Sequence, residues 1–411
     1  MNILIVSHFA GSQEHGMVFR NYAMAREWVR QGHQVTIVAC AYSHFRQKQP
    51  VMRGRVQQEM LDGIRYVWVW GPRYSQASSL GRVTSMAAFT LQCLVLPLPL
   101  DEHCDVVVCS SPHPFAIYPA ARLARRFGAR LIYDIRDLWP LTPVLLGNYS
   151  PRHPFIRLLQ AAEDYACRHA DLVTAVPRNA EAYLRGRGLA AGRFLPVSNG
   201  AFLDDAPADP LPHSHVELLR GLRQAGGFVI GYAGTLGVAN AMDGAITAIS
   251  RCPANIHLVM LGDGGSRAAL DEQARALGCL DRVHFLAPVG RRQVKEFLAN
   301  VDVGYVGGRR SPLYEYGASV TKLNDYMLAR LPILYAVGDP ENAVELSGAG
   351  FSCAPDDLDQ QAALMQRLAQ MTPSELSTLG TTGYRWCVEN QLVSTQASLV
   401  LTTLQATPRR H

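Results

Sequence analysis

The first stretch of this chain confines it to few folds, because strand, glycine loop, helix and strand follow one another without a break. Residues 2–7 (NILIVS) are an apolar run, and a loop opens at His8 and closes at Gly16. A helical pattern with Val18, Tyr22, Ala25, Trp28 and Val29 on its inner side then ends at Gly32, and residues 34–38 (QVTIV) are apolar again. That is a βαβ unit. Such units build parallel, doubly wound sheets, whose ligand loops sit at the carboxyl ends of the strands. The loop between Gly11 and Gly16 is not GxGxxG, and no acid closes the second strand, so a nicotinamide dinucleotide is disfavoured.

The alternation continues. Residues 41–84 are polar and basic, with a hairpin turned at Gly63. Residues 86–100 (MAAFTLQCLVLPLPL) are too short and too interrupted by proline to span a bilayer; they read as a core helix or as one lying in a membrane interface. Strands at 105–109 and 129–133 end in SSPHP and DIRDLWP, two polar tails that place His113 and Asp137 where they can approach one another. Residues 201–226 hold three prolines and several acids, the composition of a linker; the Asp204-Asp205 pair within them is no evidence of a metal site. A second series starts at residue 228, with glycine turns at 234–237 and 262–265 and Ser266 as a cap for the helix that begins at Arg267. It leads to residues 317–329 (GASVTKLNDYMLA) and the apolar strand 331–337. There Leu323, Tyr326 and Met327 form the buried stripe of a helix, while Lys322 and Asp325, three apart, share a face near its first turn. A cation, a carboxylate and a helix N-terminus suit a nucleoside diphosphate with its ribose.

At 411 residues the chain is long enough for two cores. The expected division is a first domain over 1–200, rejoined by a returning helix at about 388–411, a linker over 201–226 and a second domain over 227–387. Residues 1–200 carry 22 Lys and Arg against 13 Asp and Glu, giving +9, while the rest carries 17 against 21, giving −4. The first half is therefore expected to meet something anionic, such as a membrane surface or a lipid diphosphate, unless the arginines only solvate it. Nucleic acid is disfavoured, because no aromatic-interleaved basic motif is present. The nine cysteines include no CxxC pair, so reduced thiols in a cytoplasmic protein are expected, with no metal; no basic leader precedes the first strand.

Taken together, GHQVT at 32–36, SNG at 198–200, GYAGTLG at 231–237, LGDG at 261–264 and KLNDYM at 322–327 followed by LPI at 331–333 resemble the GT-B glycosyltransferases, specifically the retaining glycosyltransferase family 4. The DLWP segment, 137–140, looks like the subgroup that builds bacterial O-antigen, capsule and exopolysaccharide, including N-acetylfucosamine transferases. The resemblance implies two Rossmann-like domains facing a cleft, with C-terminal helices returning to the N-terminal domain. It implies a UDP-sugar donor, no cofactor, and transfer of a hexose, N-acetylated by the subgroup, to a lipid-linked or polysaccharide acceptor such as a polyprenyl-diphosphate glycan at the inner-membrane surface.

Carried onto this chain, the family's paired glutamates fall on Gly317 and Asp325, so the first carboxylate is missing, and Glu315 is the nearest replacement. The loop after Gly237 lacks the family's Lys or Arg. Donor contacts are then expected from Gly11, Gly16, Gly234, Thr235, Gly237, Gly262, Gly264, Arg267, Glu315, Lys322, Leu323 and Asp325. Lys322, Arg267 and the amides near Gly11 and Gly16 would stabilise the leaving diphosphate, His113 or Asp137 would orient sugar or acceptor, and Arg20 and Arg136 would meet the acceptor. Two other readings remain open at this stage: a sugar-nucleotide 2-epimerase on the same fold, and a non-catalytic sugar-nucleotide or membrane scaffold, which the missing carboxylate favours.

Overall fold

The computed structural model describes residues 1–16, 20–74, 80–203 and 207–410; Val18 and the Asp204-Asp205 pair lie outside these described residues. The chain forms two compact units, Met1–Gly200 with Val393–His411, and Ala201–Leu392.

In the first unit the strands are β1 (Asn2–Val6), β2 (Gln34–Cys40), β3 (Val56–Leu61), β4 (Ile64–Val69), β5 (Val106–Ser110), β6 (Arg130–Ile135), β7 (Leu172–Ala175) and β8 (Phe194–Pro196). They lie in the order β3-β4-β2-β1-β5-β6-β7-β8. Every pairing is parallel except β3 with β4, a hairpin whose turn residues Asp62 and Gly63 both have positive φ (51° and 75°). The strand order reverses at β1 and β5, whose interiors are continuously apolar because helices cover both faces. The last helix, Val393–Ala406, belongs to this unit and packs on Arg20–Arg30, where the Trp28 indole donates to the Ala397 carbonyl at 3.0 Å.

The second unit is wholly parallel: β9 (Phe228–Ala233), β10 (Ile256–Leu261), β11 (Val283–Leu286), β12 (Val303–Gly307), β13 (Ile333–Ala336) and β14 (Gly350–Ser352), ordered β11-β10-β9-β12-β13-β14. One face buries Met242, Ile246 and Ile249 against Tyr305. The other buries Phe297, Tyr326 and Met327 against Tyr335. The order reverses between β9 and β12, the place where a doubly wound sheet opens a crevice.

Several expectations need correction. Residues 201–226 are more than a linker: they include the helix His213–Gln224, which buries Leu219 and clusters with the second unit. The helix carrying Lys322 is short, Thr321–Leu328, although Leu323, Tyr326 and Met327 are its buried stripe. Ser266 precedes its helix without a side-chain cap, because its φ and ψ are already helical and its amide is spent on the Leu236 carbonyl at 2.9 Å. The apolar helix starts earlier and ends earlier than the run 86–100, at Leu80–Val95, and buries only Ser85, Met86, Phe89 and Cys93.

The crevice of the second unit depends on one close approach. A Cβ on Gly262 would lie 2.0 Å from the Gly234 carbonyl oxygen, and Gly262 also has φ of +144°. Gly262→Ala is therefore expected to cost at least about 2 kcal/mol, from overpacking plus backbone strain, measured as a lower denaturant midpoint for the second unit's transition. An unchanged midpoint would mean that the two loops are not locked together.

Candidate functional site

At the carboxyl ends of β9, β10 and β11 the chain leaves a cavity of about 370 Å³ lined by Gly234, Thr235, Gly262, Asp263, Pro288, Val289, Val294, Lys322 and Asp325, with Ala233, Leu261 and Tyr326 behind them. Its floor is backbone, since glycines follow both central strands. Tyr326 is fully buried, and its hydroxyl accepts from the Ala233 amide at 2.9 Å, which fixes the helix Thr321–Leu328 against the end of β9. That anchoring turns Lys322 and Asp325 into the cavity together.

Lys322 does not pair with Asp325. Its ammonium donates to the Tyr232 hydroxyl oxygen at 3.0 Å and to Asn240 Oδ1 at 2.7 Å, and lies 4.3 Å from the centre of the Tyr232 ring. Burial without a carboxylate partner pulls this ammonium down to about 8. Asp325 keeps contact with solvent at the rim. The protein crowded around it still raises its carboxyl above the usual range, while Arg291 and Lys295 pull the other way. The arrangement offers an anion a cation and a backbone floor at one end, a hydrogen-bond acceptor for hydroxyls at the rim, and an apolar wall of Pro288, Val289 and Val294 for a flat ring.

Of the donor residues expected in this unit, Gly234, Thr235, Gly262, Lys322 and Asp325 line the cavity and the others do not. Leu323 is in the core, 6% exposed. Gly264 serves packing, since a Cβ there would lie 2.4 Å from the Leu236 carbonyl. Gly237 precedes the turn Val238–Asn240, outside the lining. The Arg267 guanidinium sits over the Phe285 ring at 5.1 Å. Glu315 is exposed on the turn Pro312–Tyr316 and stands outside the lining. Tyr232, Asn240 and the 288–294 wall went unread; Tyr232 lay inside the quoted GYAGTLG, and Asn240 inside the loop noted only for lacking a basic residue.

The first unit gathers its expected residues differently. Arg20 is 5% exposed and bonds both carboxylate oxygens of Asp134 at 3.0 to 3.2 Å, as well as the Ser198 carbonyl. This corrects its assignment to an acceptor: the guanidinium is committed to a structural pair. Asp134 also accepts from Ser110 and Thr174 at 2.9 and 2.8 Å. Burial alone would raise its carboxyl, but the Arg20 charge and these hydrogen bonds outweigh it and leave the carboxyl below its usual range. His113 is 1% exposed, with neither ring nitrogen hydrogen-bonded among the described residues; burial and then the Arg82 charge push it down to about 3, so it is neutral. Its ring faces His8 at 5.2 Å and Phe9 at 6.0 Å, whereas Asp137 is exposed, and no hydrogen bond among the described residues joins His113 to Asp137 as the sequence led one to expect. Arg136 is half-buried beside Asp134 and Asp137, its amide donating to Ser111 Oγ at 2.8 Å. The Gly16 amide is already spent on the Gln13 carbonyl at 3.0 Å, so it does not match the expected anion cradle, while the Gly11 carbonyl accepts from the Tyr66 hydroxyl at 2.9 Å.

Residues 15–200 match the family model of the glycosyl transferase 4-like domain, and residues 227–371 that of the glycosyl transferases group 1. A 2-deoxystreptamine glucosyltransferase of Streptomyces kanamyceticus is 25% identical over 255 residues, which is 61% of this chain and 63% of that protein, less than two thirds of its length. Among solved structures, Anabaena Alr3699/HepE in complex with UDP and glucose has a TM-score of 0.64 at 18% identity, covering 99% of this chain and 100% of that one. The E. coli trehalose-6-phosphate structure bound with UDP-2-fluoro glucose has a TM-score of 0.71 at 13% identity, with 100% of both chains covered. WaaG, a glycosyltransferase involved in lipopolysaccharide biosynthesis, has a TM-score of 0.60 at 15% identity over 98% of this chain and 99% of that one. These likenesses show the fold, GT-B.

The Arg20–Asp134 pair carries a stability consequence. Arg20→Leu strands a buried carboxylate and is expected to cost about 3–5 kcal/mol in chemical unfolding of the first unit. Because the folded-state carboxyl lies below its unfolded value, the pair's contribution is complete above the ordinary carboxylate range and is lost as pH falls through the lower folded value. The wild type should therefore lose more stability on acidification than the variant; equal losses would refute the pairing.

Proposed function

We propose that this chain, whose fold is GT-B and whose two units match glycosyl transferase models, is a glycosyltransferase that moves a hexose, N-acetylated, from a UDP-sugar to a lipid-linked or polysaccharide acceptor, with retention at the anomeric carbon. The observation that carries the donor half is the cavity of the second unit, where an ammonium without a carboxylate partner lies at a glycine floor and a carboxylate lies at the rim. In this reading Asp325 accepts the ribose hydroxyls, the apolar wall receives the base, and Lys322 takes the β-phosphate. As the glycosidic bond breaks, negative charge grows on that phosphate, and a positioned cation lowers the barrier more than it strengthens ground-state binding. Lys322 fills the electrophilic role, so the reading calls for no metal. His113, neutral and buried, acts as a hydrogen-bonding group toward sugar or acceptor rather than as a charge.

The acceptor half is supported by the first unit's surface. Leu80, Leu91 and Val95 of the helix Leu80–Val95 are 84%, 60% and 64% exposed, and Arg122 bonds the Leu94 carbonyl beside them at 2.8 Å. An apolar ridge rimmed by arginine suits a peripheral stay on an anionic bilayer, where a polyprenyl-diphosphate acceptor resides. No described helix is long and apolar enough to cross a membrane. A non-catalytic reading draws on Gly317, where a carboxylate is missing and from which Glu315 does not compensate within the cavity. Donor binding with neither transfer nor hydrolysis would favour it, and epimerisation of the donor alone would favour an isomerase.

Measured as UDP release from a panel of UDP-sugars, Lys322→Ala and Asp325→Ala should each lose on the order of 100-fold in kcat/KM. Turnover unchanged in both would sink this site. Because the free ammonium titrates near 8, kcat/KM for the donor should fall as pH rises through that value, while at neutral pH the lysine is charged.

A further inference from the structure

We propose that Tyr232 and Asn240 are positioning residues that hold the Lys322 ammonium ready for the donor's diphosphate, with the Thr235 carbonyl as their common anchor. The inference rests on the donor reading above and extends it to residues outside the expected set.

A lysine head on a four-carbon stem samples many rotamers, and ordering it on ligand binding weakens affinity. Here the ordering is done in advance. The Tyr232 hydroxyl donates to the Thr235 carbonyl at 2.7 Å, which leaves its oxygen lone pairs to accept from Lys322. Asn240 Nδ2 donates to the same carbonyl at 2.9 Å, and this settles which way the amide faces: Oδ1 turns to Lys322. The turn bearing Asn240 is itself pinned. Arg309 bonds the Val238 carbonyl at 3.1 Å and Asp243 at 2.8 Å, and the Asn240 carbonyl lies 2.6 Å from where a Cβ on Gly307 would stand.

Both holders are neutral, and this decides what the network can do. A carboxylate in either place would fix the ammonium equally well but would cancel the charge that an anion needs. Two of the three N–H bonds are used by Tyr232 and Asn240, and the third remains for a ligand. A Cβ on Gly234 would lie 3.3 Å from Nζ, so glycine there keeps the ammonium uncovered at the cavity floor. The opposite role, in which the same two bonds park the lysine away from the ligand, predicts tighter binding once they are removed, and the two roles therefore separate by sign.

The charged and titratable groups near Lys322 are Tyr232 on β9, Asp325 on its own helix and Asp263 after β10, with Arg291 and Lys295 acting on Asp325. Calorimetric titration with UDP, together with donor KM and kcat, would be run on the full chain and on Tyr232→Phe, Asn240→Ala, Asn240→Asp and Lys322→Ala. Tyr232→Phe keeps the buried ring, and Asn240 sits in a surface turn, so at least the Asn240 variants test the idea if the core variant misfolds. Tyr232→Phe and Asn240→Ala should each weaken UDP about tenfold, as expected for losing a hydrogen bond to a charged group, and should raise donor KM more than they lower kcat. Asn240→Asp should weaken UDP further at neutral pH, yet move the pH at which binding fades upward, because its carboxylate keeps the ammonium protonated. Unchanged or tighter UDP binding in Tyr232→Phe and Asn240→Ala, with Lys322→Ala weakened, would overturn the positioning role and leave the donor site standing. Unchanged binding in Lys322→Ala would overturn the donor reading, and this proposal with it.

Discussion

The site of the second unit follows from a contact between two backbones. Where β9 and β10 end, the Gly234 carbonyl occupies the space that a side chain on residue 262 would need. The Gly234 amide in turn bonds the Leu261 carbonyl, and the Gly262 amide bonds that of Leu286, each at 3.0 Å, so three neighbouring parallel strands finish as a staircase of peptide groups. A parallel sheet sends all its exit loops to one edge, and here the backbone of residue 234 leaves no room for a side chain at 262. Positive charge has to come from elsewhere. It comes from the helix Thr321–Leu328, two strands further along the sheet, which the Tyr326 hydroxyl fastens to the Ala233 amide.

The two units treat a basic side chain in opposite ways. Arg20 is surrounded by Asp134 and a backbone carbonyl, and its charge is fully matched inside the first unit. Lys322 is surrounded by neutral acceptors, and its charge is left over. An unmatched, half-buried ammonium is unfavourable, and burial accordingly lowers its pKa. A fold tolerates such a group where an anion completes it, and this imbalance is what supports the proposed donor site.

These differences explain what the sequence reveals and what it conceals. Lys322 and Asp325 are legible because their relation is local: three residues apart on a helix whose other face reads as apolar. The alternation of strands and glycine turns is legible for the same reason, and it locates Gly234, Thr235 and Gly262. Arg20 is not legible, because its partner Asp134 is 114 residues away and nothing near position 20 hints at a buried acid. His113 and Asp137 both follow strand ends, but rotation about the backbone sends one ring toward His8 and Phe9 and the other side chain outward, a choice that no period encodes. Asn240 shows the limit of reading by residue type. A loop searched for a cation holds instead the amide that orients one.

The same logic accounts for the odd chemistry of the first unit. His8 and His113 lie beyond the ends of β1 and β5, the two strands at which that sheet reverses its order, as β9 and β12 do in the other. Both imidazoles are 1% exposed, and three of their four ring nitrogens have no hydrogen-bond partner among the described residues. His8 is satisfied on one side only, by Ser85 at 3.2 Å. Burial is the main force holding both rings neutral, with His113, Arg46 and Arg82 adding to it at His8 and Arg82 at His113. Unsatisfied buried polar atoms are rare because each is costly. Three such atoms stand together beyond the strand-order reversal of the first unit, whereas the buried guanidinium of Arg20 in the same unit is matched by Asp134.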